Sequence, residues 1–250
     1  MEKILVFGDI HGRKFWKKPF NEHVDKVEKV VFIGDYLDFY PDEWEDGEHT
    51  RKDDIDNFLE IIDLKTKYGD KVVLLIGNHC QHYRSEIFDE YAGGTRKDNI
   101  NSSYIKQIFD EFKDYFQLAY EETIGDRRFL FTHAGVCKSW YEKYKGLIGE
   151  LNADNLNKLD FSDEGQMALS QISNYRSWFG EKTGSILWSD VRERYVDKGE
   201  DIEGVYQVFG HTRLWGKPII TEQWACIDCS KPFMIYENGL ISELKENGQE

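Results

Sequence analysis

The chain has 250 residues, enough to bury one sizeable α/β core or a core that carries insertions. Its formal net charge of −15 opposes unassisted binding of long nucleic acid, but not binding of a small phosphorylated ligand neutralised by bound cations. Aromatics make up 15% of the residues, which argues against disorder, and no stretch approaches a membrane span. The first predicted element is a strand at Ile4-Leu5-Val6-Phe7, stopped abruptly by Gly8-Asp9-Ile10-His11-Gly12. A short apolar run closed by glycine reads as a buried strand feeding a tight loop, and this loop carries a carboxylate and an imidazole two positions apart. The chain enters that strand without the apolar region of a signal peptide, so the cytoplasm is the expected location. The Asn101-Ser102-Ser103 sequon then carries little weight.

Arg13 to Asn21 is basic and aromatic and reads as the start of a short helix, with Pro19 as the obstacle. Val30-Val31-Phe32-Ile33 is the second strand and runs into Gly34-Asp35-Tyr36-Leu37-Asp38; the acidic segment Asp42 to Glu48 reads as an exposed loop. Ile55, Phe58, Leu59 and Ile62 mark a helix with Asp53 and Asp54 near its first turn, closed by Gly69-Asp70. Val72 to Ile76 is the third strand and ends at Gly77-Asn78-His79. Between Cys80 and Ala119 the spacing predicts a helical stripe of Ile105, Ile108, Phe109, Phe112 and Phe116; the basic segment before it, Tyr91 to Lys97, reads as a linker between helices, with closure over a substrate as the alternative.

Glu122 to Arg128 reads as a turn into the strand Phe129-Leu130-Phe131, which ends at Thr132-His133-Ala134-Gly135. Residues 137–200 are mostly polar and read as a rim insertion anchored by Trp and Tyr, within a single domain spanning 1–250. Val205 to Phe209 is the next strand and ends at Gly210-His211-Thr212. Trp224 to Asp228 is strand-like, so Cys226 and Cys229, three apart, point to opposite faces. With no second ligand pair at comparable spacing, they read as ordinary buried thiols rather than a zinc site. Phe233 to Tyr236 and Leu240 to Ser242, joined through Asn238-Gly239, predict a hairpin, and the tail beyond Lys245 reads as frayed.

Five times, then, a buried-looking strand stops at residues drawn from Asp, Asn and His. Four of the seven histidines fall in these motifs, a ligand set suited to harder and borderline divalent metals. In this order, and at strand ends, the blocks resemble those of the calcineurin-like metallophosphoesterases. Gly210-His211-Thr212 and Leu187-Trp188-Ser189-Asp190 are most similar to the protein-phosphatase and dinucleoside-tetraphosphatase branch. The resemblance implies an α/β fold, an αββα sandwich of two mixed β-sheets flanked by helices, with the site at the strand C-termini. It implies two divalent ions, manganese first, with iron or zinc as alternatives. Asp9 and His11 would bind one ion, Asn78, His133 and His211 the other, and Asp35 would bridge them. His79 would be the general acid, with Asp38 orienting it and favouring its imidazolium form.

Two departures bear on the substrate. The protein-phosphatase pattern has an arginine after Asp38 and an acidic residue after His79; this chain has Phe39 and Cys80. Arg84 and Arg213 are the candidate substitutes for that arginine, with Arg13, Arg192 and Arg194 as further sources of a guanidinium. The expected activity is hydrolysis of a phosphomonoester, on a phosphoprotein or a phosphorylated small molecule such as a nucleotide, by in-line attack of a metal-bridging hydroxide. The alternatives are a phosphodiesterase or dinucleoside-polyphosphate hydrolase, and a scaffold that has lost catalysis. Neither a membrane partner nor long nucleic acid is expected.

Overall fold

Continuous apolar runs become strands buried on both faces. In the computed structural model, which describes residues 1–40, 50–91, 96–197 and 199–245, β1 (Glu2–Phe7), β2 (Lys29–Phe32) and β3 (Val72–Leu75) are parallel neighbours. Their side chains alternate. Leu5, Phe7, Val30, Phe32, Val72 and Leu74 enter one apolar cluster, whereas Ile4, Val6, Val31, Ile33, Val73 and Leu75 enter another. Burying each such side chain contributes about 1.5–3 kcal/mol, so these strands fix the register on which the loops depend.

Helices cover the first face. α1 (Lys17–His23) forms despite Pro19, because the proline sits in the first turn, where its missing N–H leaves no hydrogen bond unmade. α2 (Arg51–Tyr68) is capped by Thr50 and Asp53 in a reciprocal capping box and ends at Gly69, whose φ of 56° favours glycine. The short α3 (Asn78–Arg84) and α4 (Glu86–Tyr91) precede α5 (Ser102–Glu111), which buries Ile105, Ile108 and Phe109. The predicted stripe runs too far: Phe112 ends the helix, and Phe116 lies on β4 (Phe116–Gln117), the edge strand beside β3.

The second sheet begins with β5 (Ala119–Ile124), antiparallel to β6 (Arg127–Thr132). This corrects the predicted turn over Glu122 to Arg128: the reversal is confined to Gly125 and Asp126, and both arms are strand. After β6 come α6 (Lys138–Ile148), α7 (Ala153–Asn157), α8 (Asp163–Leu169) and α9 (Val191–Tyr195). Trp140 is fully buried among Leu156, Leu169 and Leu187, and donates Nε1–H to the Ala168 carbonyl at 3.2 Å. Trp178 is fully exposed, at 101%, and so is no anchor for this segment; neither is Phe179, at 99%.

β7 (Tyr206–Phe209) lies parallel to β6, and β8 (Ile219–Ile220) and β9 (Trp224–Cys226) complete the sheet in the order β5-β6-β7-β9-β8. β10 (Pro232–Tyr236) and β11 (Ile241–Glu243) form the expected hairpin and return to β1, giving the first sheet the order β11-β10-β1-β2-β3-β4. Phe129, Phe131, Tyr206 and Val208 meet Val6, Val31 and Leu75 between the sheets. Two mixed sheets packed face to face with helices outside are the predicted αββα sandwich. The cysteines are free and buried, and among the described residues no helix is long and apolar enough to cross a membrane. The acidic loop over 42–48, most of the 91–97 linker and the tail beyond 245 fall outside the described residues.

Candidate metal centre

The parallel strands of both sheets end on one edge, and there the loops converge. The backbone turns sharply at the polar residues: His11, Asp35, Asp38 and His211 have φ values of 43°, 45°, 66° and 63°. Non-glycine residues rarely adopt such values, and strain of this kind persists only where surrounding structure imposes it. Two glycines make room for carboxylates. A Cβ on Gly77 would lie 2.0 Å from Asp35 Oδ1, and one on Gly210 would lie 2.1 Å from Asp9 Oδ1. The same two oxygens accept backbone N–H bonds, Asp35 from His79 and Asp9 from His211, each at 2.9 Å. One oxygen of each carboxylate is thereby tied down, and Oδ2 is left facing the imidazoles.

Backbone carbonyls set the histidine tautomers. His11 donates Nδ1–H to Leu37 O at 2.8 Å and His133 donates Nδ1–H to Ile33 O at 3.1 Å, since a carbonyl can only accept. Their Nε2 atoms therefore point inward, and each is a lone-pair donor when its ring is neutral. His133 Nε2 meets Asn78 Oδ1 at 3.0 Å, His211 Nδ1 at 3.0 Å and Asp35 Oδ2 at 3.3 Å. His11 Nε2 lies 3.7 Å from Asp35 Oδ2 and 4.0 Å from Asp9 Oδ2. Ligand atoms of Asp35, His133 and His211 form one trio within 4.8 Å, and those of Asp35, His11 and His79 form another. Asp35 belongs to both.

Such a convergence of electron pairs demands positive charge at its centre. Burial and the neighbouring His79 keep His11 well below its ordinary pKa, and burial with Arg176 does the same for His211, so both are neutral donors. Burial opposes ionisation of Asp35, yet His133 and His79 outweigh it and hold the carboxyl well below the usual range. At His133 burial is again outweighed, by Asp35 and Asp9, and its pKa is pushed up to about 9. The pocket thus draws a cation to the point where His133, Asn78, His211 and Asp35 meet. Imidazole nitrogens with carboxylate and amide oxygens fit a harder or borderline divalent metal, so the residues present suit the ions that the sequence motifs suggest.

Within the second trio, His79 Nδ1 hydrogen-bonds Asp38 Oδ2 at 2.7 Å, and the His79 ring lies edge-on to His11 at 4.9 Å. Asp38 is held from three directions. Tyr83 donates its hydroxyl to Oδ1 at 2.6 Å, Asp54 Oδ2 accepts the Asp38 backbone N–H at 2.7 Å, and Arg96 donates to the Asp38 carbonyl at 2.9 Å. Burial, reinforced by the charge of Asp38, raises Asp54 to about 7. Tyr83 was legible in principle, since it lies four residues after His79 on α3 and so shares its face. Asp54 stood out in the sequence only for its place in the first turn of α2.

Asp228 also escaped the motif search. It follows β9 as Asp9 follows β1, but the flanking cysteines drew the reading elsewhere. Buried to 3% exposure, it lies 3.7 Å from Arg13 Nη1, and burial together with Asp9 holds its pKa well above the ordinary value.

The structure brings together Asp9, His11, Asp35, Asn78, His133, His211, His79 and Asp38. Of the two arginines singled out, Arg213 stays near the cluster: its guanidinium stacks on Tyr40 at 4.8 Å, and the Tyr40 ring packs on His11 at 5.0 Å. Arg84 does not. It is held by Asp160, with an Nη2–Oδ2 contact of 2.8 Å, and by Gln81, and it lines a separate cavity of about 870 Å³ with Lys106, Phe109 and Phe161. α3 turns it away because it lies five positions after His79, off the face shared at three and four.

Comparison with known proteins agrees with this architecture. A family model described as calcineurin-like phosphoesterase matches residues 2–215. A probable serine/threonine-protein phosphatase of Encephalitozoon cuniculi is 26% identical over 204 residues, which is 78% of this chain and 40% of that protein. This chain therefore spans well under half the length of that relative. A solved protein serine/threonine phosphatase from Saccharomyces cerevisiae, described as similar to human phosphatase PP5, superposes with a TM-score of 0.51 at 14% identity. That superposition covers 99% of this chain and 81% of the other, and bears on the fold alone.

Proposed function

The chain belongs to the calcineurin-like phosphoesterase family, a family of hydrolases, and from that premise we propose that it is a two-metal phosphomonoesterase acting on a phosphoprotein or a phosphorylated small molecule. The observation that carries this reading is Asp35 lying in both ligand groups, with His133 and His211 in one and with His11 and His79 in the other, and Asp38 bonded to His79. Asp9 and His11 would hold one divalent ion, Asn78, His133 and His211 the other, with Asp35 common to both. When bound, the ions would supply a nucleophile at neutral pH and neutralise charge on the phosphoryl oxygens.

The chain's own residues do the rest. Asp38 accepts the Nδ1–H of His79 and fixes the ring, and the imidazolium form of His79 would deliver its Nε2 proton to the leaving alkoxide. Tyr83 and Asp54 hold the Asp38 carboxylate and backbone, which keeps the donor aimed. His11 and His133 cannot rotate, because their Nδ1–H groups are spent on Leu37 and Ile33. A phosphoprotein substrate is supported by the name of the Encephalitozoon relative, over the part that aligns.

The test is turnover of p-nitrophenyl phosphate and bis-p-nitrophenyl phosphate with added Mn²⁺, using Asp9→Asn as control. Metal-dependent turnover that favours the monoester and is lost in Asp9→Asn supports the proposal. Faster diester turnover overturns the monoester assignment, and no turnover of either overturns the activity.

A further inference from the structure

Three arginines from separate parts of the chain converge on one ring beside the metal centre. Arg96 Cζ lies 3.4 Å from the centroid of Tyr40, Arg213 Cζ 4.8 Å and Arg13 Cζ 5.7 Å. Tyr40 packs edge-on against His11 at 5.0 Å, so the cationic cluster adjoins the pocket directly. The three differ in what holds them. Arg13 is 9% exposed and bonds Ser230 Oγ at 2.9 Å with Asp228 at 3.7 Å, so it is held in place by buried polar partners. Arg213 Cζ lies over Trp215 as well, 4.0 Å from its centroid. Arg96 donates Nη2–H to the Asp38 carbonyl, and among the described residues it pairs with no carboxylate.

Stacking matters chemically. A guanidinium lying flat on an aromatic face keeps its N–H donors in the ring-parallel plane, where they can form a fork around two oxygens. Nη2 of Arg96 donates to the carbonyl of Asp38 itself, which sets this guanidinium beside the His79–Asp38 pair. In a chain of net charge −15, positive groups collected around a pocket of Asp and His residues are not a by-product of composition.

We propose that Arg96 and Arg213, stacked on Tyr40, form an anion clamp for the non-bridging oxygens of the substrate phosphate, and that this clamp selects a dianionic monoester over a monoanionic diester. Arg13, tied to Asp228, positions the Tyr40 ring. This rests on the phosphomonoesterase reading and specifies which residues recognise the group hydrolysed. Arg96 supplies the guanidinium that position 39 does not. In the sequence Arg96 stands out only as part of the basic segment Tyr91 to Lys97, with no spacing relation to any motif.

The test compares wild type, Arg96→Ala, Arg96→Lys and Arg213→Gln, each with metal content and melting temperature measured first. Steady-state kinetics on the two p-nitrophenyl esters are paired with calorimetric titration of inorganic phosphate into the Mn²⁺-loaded protein. Loss of a charge-assisted fork should raise the monoester KM and the phosphate Kd of Arg96→Ala at least about tenfold, and should lower diester kcat/KM by a clearly smaller factor, since the diester carries one charge fewer. Arg96→Lys, which keeps charge but not the fork, should recover only part of that affinity. Arg213→Gln should weaken phosphate in the same direction.

Unchanged phosphate affinity in a folded, metal-replete Arg96→Ala overturns the clamp, as does an equal loss on both esters. If wild type hydrolyses neither ester yet binds phosphate in an Arg96-dependent way, the clamp stands and the phosphomonoesterase reading fails.

Discussion

Replacing Gly77 with alanine isolates the geometry on which the metal centre depends. Gly77 has φ −100° and ψ 176°, values that alanine adopts freely, so the backbone raises no objection. By conformational entropy alone the change should stabilise the fold by about 0.4–1 kcal/mol. The methyl group, however, would lie 2.0 Å from Asp35 Oδ1, 2.6 Å from its Cγ and 2.7 Å from its backbone N. Ordinary contact begins at 3.4 Å, so the carboxylate must retreat by roughly 1.4 Å, whereas metal–ligand distances tolerate about 0.2 Å. Retreat also breaks the bond from His79 N to Oδ1, at the start of the helix that carries His79. Calorimetric titration of Mn²⁺ into the chelated protein should show two sites in wild type and at most one, weakened at least about tenfold, in the variant. Urea unfolding in EDTA should show a loss of about 1–3 kcal/mol from overpacking. Two ions bound at wild-type affinity, with stability unchanged, would refute both the confinement of Asp35 by Gly77 and its role as the shared ligand.

Three further outcomes follow from the same geometry. His79→Asn should lower kcat about 10²–10⁴-fold on phenyl phosphate but much less on p-nitrophenyl phosphate, whose leaving group needs little protonation; equal losses would exclude a proton donor. Asp54 has its folded pKa raised to about 7 from 3.8, so its stabilising contribution is complete below pH 4 and is lost as pH rises to about 7. The full effect is at most about 4 kcal/mol. Asp54→Asn keeps an acceptor for the Asp38 N–H, and should be more stable than wild type at pH 8 but not at pH 4. Urea unfolding of the chelated proteins at both values checks this, and identical pH slopes would contradict it. Arg84→Ala strands the mostly buried Asp160, whose remaining partners are Gln81 and Gln166, and should cost roughly 3 kcal/mol; a loss below about 1 kcal/mol would show that the pair is not structural.

The sequence on its own determined the strands and what stands at their ends. β1, β2, β3, β6 and β7 were legible because burial on both faces demands unbroken apolar runs, and because Asp, Asn and His after glycine cannot continue them. Elements whose residues answer to other parts of the chain were not. β5 reads as a turn because its Glu121, Glu122 and Thr123 lie on a half-exposed sheet edge, and Phe116 reads as helical because its phase matches α5.

The site divides in the same way. Residues that close a strand announce themselves by local pattern, whereas Arg96, Tyr83, Asp54 and Asp228 matter only for what lies opposite them. Arg84 and Arg213 were equal candidates by proximity to a motif, yet one is taken by Asp160 and the other lies on Tyr40. Sequence spacing fixes where a side chain leaves the backbone. Which partner it meets is decided only when packing brings distant segments within a few ångströms, since hydrogen bonds and ion pairs fall away over that distance.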